Sequence, residues 1–116
     1  MSDRILFIGW GRVVAGREQQ SMQLWTKVME YYGGLQSGGK IENFEPVLLS
    51  SHGGDLHGFV ILRGEAQKLA EIREENTFLD LATEAEYCLE NFGIVSGYLG
   101  DSIMDQLTRW SKHFAE

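Results

Sequence analysis

Apolar runs and turn signals along the chain predict an α+β fold in the order β-α-β-β-α-β, with one more helix at the C-terminus. Three observations carry this. Four short stretches are rich in β-branched and aromatic residues on both parities, as strands of a buried sheet are. Between the first and second, and between the third and fourth, the apolar spacing lengthens to a helical period. Glycine-rich joints, among them Gly33-Gly34, Gly38-Gly39, Gly53-Gly54 and Gly100, separate the segments.

Residues 4–14, RILFIGWGRVV, form the first expected strand, broken by Ala15-Gly16. A helix follows from Arg17 to about Tyr32, with Met22, Trp25, Met29 and Tyr32 on one stripe and Gly33-Gly34 as its stop. Residues 36–39 read as a loop. A second strand spans 40–51. Pro46 has no N–H to give to a ladder, so this strand belongs at an edge or at a bulge. His52-Gly53-Gly54-Asp55 is a turn of about four residues, and a third strand, 56–62, completes a hairpin. Gly64-Glu65 opens a second helical region carrying Leu69 and Ile72. Glu74 to Thr77 breaks it, with Thr77 and Asp80 spaced like a capping box. A helix through Phe78, Leu81, Ala82, Ala85 and Leu89 leads to a fourth strand, 91–99. Ser102 and Asp105 again have cap spacing, ahead of a last helix (102–115) with the stripe Ile103, Leu107, Trp110 and Phe114.

This order is the ferredoxin-like split βαβ arrangement, a four-stranded antiparallel sheet in the order 4-1-3-2 with two main helices on one face. At 116 residues the chain is read as a single domain, its core at 4–100. Apolar residues make up 43% and charged residues 23%, a globular balance. The net charge of −7 and the scatter of ten basic residues speak against nucleic acid as a partner. No apolar run is long enough to span a bilayer, and Met1-Ser2-Asp3-Arg4 leads straight into a strand without a leader pattern. The lone Cys88 fits a reducing compartment, so a cytoplasmic protein is expected.

The parity of the strands predicts a homodimer. Strand one sets Ile5, Phe7 and Val13 against Leu6, Ile8, Trp10 and Val14. Strand three sets Leu56, Val60 and Leu62 against Phe59 and Ile61. Strand two sets Val47 and Leu49 against Phe44 and Leu48, and strand four sets Val95 and Leu99 against Phe92, Ile94 and Tyr98. Both faces are apolar, yet the helices cover one. Covering the other is worth on the order of 10 kcal/mol before association costs. A second copy packed sheet to sheet provides the cover; the competing arrangement folds the C-terminal helix across that face.

In element order and in the broken second helical region, LAEIREENTFL at 69–79 ahead of GIVSGYL at 93–99, the chain resembles the dimeric α+β barrel superfamily. That group includes small monooxygenases, muconolactone-isomerase-like proteins and uncharacterised stress-responsive proteins. The resemblance covers about residues 4–100 and implies a dimer with a cavity between sheet and helices or at the sheet interface. It supplies no catalytic set, no cofactor and no axial histidine for haem.

Five residues are candidates for holding a small ligand. Trp10 and Arg12 share a parity on a strand expected to be central, with Phe59, Arg63 and Tyr98 on its neighbours. An arginine beside aromatics can hold a carboxylate or enolate; the plainer role is an arginine at a strand end reaching solvent beside a core tryptophan. His52, Asp55 and His57 could give a metal two nitrogens and an oxygen, but their spacing suits a plain hairpin tip, and no metal is expected. His113 suits the negative end of the last helix. Cys88 reads as a buried thiol, and Glu71, Glu74, Glu75, Glu84 and Glu86 as a solvated helix face. Gly9 and Gly11, Gly93 and Gly97 lack phosphate-loop spacing.

These features suit a small-molecule site in a homodimer, including a cofactor-independent monooxygenase or isomerase acting on a small apolar or aromatic compound. The alternative is a non-catalytic, ligand-sensing module of ACT-like topology. An RNA-binding RRM shares the element order, but strand three has one central aromatic and the chain is acidic.

Overall fold

A computed structural model describes residues 3–114. Met1, Ser2 and the expected helix end at residue 115 lie outside them. The elements are β1 (Arg4–Trp10), α1 (Glu18–Ser37), β2 (Asn43–Leu48), β3 (Gly58–Gly64), α2 (Ala66–Arg73), α3 (Asn76–Cys88), β4 (Gly93–Tyr98) and α4 (Asp101–Phe114). The sheet is antiparallel throughout, in the order β2-β3-β1-β4, the expected ferredoxin-like arrangement. It is open, with β2 and β4 as edges. Pro46 accordingly sits on an outer strand.

Register sorts the side chains. Leu6 lies between Leu62 and Ser96, and Ile8 between Val60 and Ile94. Leu6, Ile8, Val60 and Leu62 are buried with Tyr32, Leu35, Leu69, Ile72 and Phe78 from the helices. Alternation puts Ile5, Phe7, Val47, Phe59, Ile61 and Val95 on the opposite face. None of these is fully buried, and Val95 is 59% exposed.

Several boundaries differ from expectation. β1 ends at Trp10, not Val14. A side chain at Gly11 would meet the Asp55 and Glu90 carbonyl oxygens at 2.8 and 2.9 Å, so the strand gives way to a close backbone crossing. Val13 keeps only a bridge to Leu89. α1 runs through Gly33-Gly34 to Ser37, because Tyr32 and Leu35 are both buried and their packing outweighs two glycines. The hairpin loop is nine residues, Leu49 to His57, rather than four. Thr77 does not cap: α3 starts at Asn76 after an extended Glu75. Ser102 lies inside the first turn of α4, buried, with its Oγ 2.6 Å from the Asp3 carbonyl and 2.7 Å from that of Leu99.

Candidate functional site

Between the sheet and helices α1 and α3 lies a cavity of about 60 Å³. Trp10 from β1, Leu24, Trp25 and Val28 from α1, Phe78 from α3 and Phe92 ahead of β4 form much of its wall. The Trp10 and Trp25 rings meet edge to face, their centroids 6.0 Å apart. α1 supplies three of these residues because Leu24, Trp25 and Val28 share one helical stripe.

The wall carries three hydroxyls, those of Ser21, Tyr31 and Tyr32, and the first two are engaged. Ser21 Oγ donates to the Glu18 carbonyl at 2.9 Å. Tyr31 donates to Glu75 Oε1 at 2.6 Å, and Lys40 Nζ holds Glu75 Oε2 at 2.9 Å. Burial, reinforced by Glu75, pushes the Tyr31 phenol well above its usual range, and burial does the same to Tyr32. The Tyr31 hydrogen bond, followed by Lys40, holds Glu75 below the usual carboxylate range. Apart from these hydroxyls the wall is apolar, and both phenols stay protonated at neutral pH.

The five candidate ligand residues do not converge. Trp10 alone faces this cavity. Arg12 is exposed beyond the end of β1, beside the hairpin loop. Phe59 stacks on Phe7 on the open face, centroids 5.0 Å apart. Arg63 shares that face and reaches Asn43 Oδ1 at 3.2 Å and Glu45 Oε1 at 3.4 Å. Tyr98 pairs with Arg4 at the far end of β1 from Trp10, and the Arg4 guanidinium lies 4.8 Å from its ring centre. Alternation separates Trp10 from Phe59, and strand length separates it from Tyr98.

His52, Asp55 and His57 line a polar hollow with Arg12, Glu90 and Asn91. The His52 Nδ1 lies 2.9 Å from the Ser50 carbonyl, and its ring crowds Gly54. Among the described residues no three His, Cys, Asp or Glu side chains gather as a metal site. Two carboxylates expected to be solvated are instead partly buried in ion pairs, Glu75 with Lys40 and Glu84 with Lys27. Cys88 is fully buried; burial raises its thiol pKa, with Glu84 adding to the rise and Arg17 and Lys27 opposing it.

Sequence reasoning missed a groove of about 350 Å³ between α2 and the ends of β1 and β4. Arg73 Nη1 donates to Ser96 Oγ at 3.3 Å. Arg4 stands on the same face over Tyr98, and its buried Nε has no hydrogen-bond partner. Among the described residues neither arginine makes an ion pair, although the chain carries a net charge of −7. Leu6, Leu69 and Ala70 floor the groove and Glu74 lines it too. Such a pair can take a carboxylate. The sequence signal was weak: only the register that sets Arg4 opposite Tyr98 brings residues from both chain ends together.

No helix among the described residues is long and apolar enough to cross a membrane. No family model matches the chain, and no curated protein matches it. A solved structure does: a dimeric protein of unknown function with a ferredoxin-like fold from Bacteroides fragilis, 9% identical. The match covers 83% of this chain and 96% of that one, with a TM-score of 0.59. At that identity the likeness speaks to architecture, and this chain has the ferredoxin-like α+β fold.

Proposed function

We propose that the protein is a homodimer that binds a small, mainly apolar or aromatic molecule between its sheet and helices α1 and α3. The observation that carries the ligand is the apolar cavity walled by Trp10, Trp25 and Phe78, whose roughly 60 Å³ widens to take an aromatic ring. The observation that carries the dimer is the open sheet face with Val95, Phe7 and Phe59, together with the dimeric state of the Bacteroides fragilis protein. An isomerase or oxygenase reaction in this cavity would have the phenols of Tyr31 and Tyr32 as its proton-carrying groups. A phenol with a raised pKa is a poor base, so binding is the stronger reading.

The ligand-sensing alternative draws on the Arg4–Arg73 groove, where two arginines without an ion pair among the described residues suit a small carboxylate. One titration separates the two. In ¹⁵N-labelled protein, indole should shift the Trp10 and Trp25 indole N–H signals and leave Trp110 in place. Butanoate should move only the Ser96 and Tyr98 amides if the groove is the site. Indole that leaves both inner tryptophans unmoved overturns the cavity reading.

A further inference from the structure

α4 is amphipathic and its apolar stripe is bare. Ile103, Leu107, Trp110 and Phe114 follow a 4-3-4 spacing, with Met104 beside them. They are 43%, 44%, 50%, 77% and, for Met104, 61% exposed. Among the described residues α4 packs along no other element. It is nonetheless firmly rooted. Leu99 N–H donates to the Asp3 carbonyl at 2.8 Å, and the buried Ser102 hydroxyl sits between Asp3 and Leu99. The helix is an arm fixed at its base and unsatisfied along its length.

We infer that each α4 packs its stripe across the open sheet face of a second copy of this chain. This rests on the homodimer reading and adds the arm exchange to it. The occupant follows from three observations. The other apolar surface left partly uncovered is the sheet face of the same chain, where Ile5, Phe7, Val47, Phe59 and Ile61 are half-buried and Val95 exposed, and a two-fold pair satisfies both surfaces in both copies at once. The helix is about 21 Å long at 1.5 Å per residue. That matches a four-stranded sheet, about 19 Å across at 4.8 Å per strand. The area also suffices. Aromatic side chains bury about 150–250 Å², so the five exposed residues leave on the order of 400 Å² per arm. Two arms and the surface they cover come to about 1,600 Å², the size of a standard stable interface. A chain of net charge −7 is poorly suited to settle this helix on an anionic membrane instead.

The test replaces the exposed Trp110 with the photoreactive p-benzoylphenylalanine in the full chain, mixing ¹⁴N and ¹⁵N copies before illumination. Cross-links joining light to heavy copies are the expected result. Cross-links confined to one copy, or none, in a particle of dimer mass overturn the arm exchange and leave the dimer standing. A monomer at micromolar concentration overturns both. As a second measurement, Leu107→Glu with Phe114→Glu should weaken dimerisation at least ten-fold at unchanged circular dichroism; an unchanged dimer affinity also overturns the exchange.

Discussion

Tyr31, Glu75 and Lys40 show how much a single residue can mislead from sequence. Glu75 sits in a run of acidic residues and looked solvated, but Tyr31 from α1 and Lys40 from the α1–β2 connection both reach it. Tyr31→Phe should cost about 1 kcal/mol, the typical net value of a hydrogen bond, read by chemical denaturation at neutral pH. The pH dependence has a definite sign. A carboxyl held below its ordinary value adds stability that is full above that value and is lost as pH falls through the native one. The difference between wild type and Tyr31→Phe should therefore shrink below about pH 4.3, the ordinary Glu value. A constant difference down to acid would show that Tyr31 acts through packing alone. The candidate ligand residues were legible one by one as aromatics and arginines on strands. Their grouping was not, because facing depends on register and strand ends, and Arg12 proved to lie past the end of β1.

At the scale of elements, α1 continues through Gly33 and Gly34. A Cβ built on either glycine meets nothing within 4 Å. Glycine in a helix interior costs about 0.5–1 kcal/mol relative to alanine. Gly33→Ala and Gly34→Ala should each stabilise by about that amount, raising the urea midpoint at constant slope; a fall would reveal a packing role for the bare backbone. All the elements and the strand order were legible, since parity and helical period survive in short windows. The misplaced ends of α1 and α3 share one cause. Local stop and cap signals, Gly33-Gly34 and Thr77, yielded to tertiary packing of Tyr32, Leu35 and Phe78. The turn signal at 52–55 likewise marked the tip of a nine-residue loop and carried no information about its length.

The whole molecule is elongated, 53 × 37 × 22 Å, with a radius of gyration of 15.9 Å. A compact chain of this length would measure about 13 Å. The excess fits an arm that leaves the body and a sheet covered on one side. Val95, exposed on the outer strand β4, tests the assembly without disturbing the core. The wild type should sediment at about twice 13.1 kDa, and Val95→Glu at the single value with an unchanged circular dichroism spectrum. A wild type that stays at the single value when concentrated would end the homodimer reading.

Pro46 has a bearing on how far such assembly can go. An outer strand with a complete row of donors is a template on which further copies can stack edge to edge without limit. A ring nitrogen in the middle of β2 withholds one rung from any strand that would dock there. Growth along that border is discouraged.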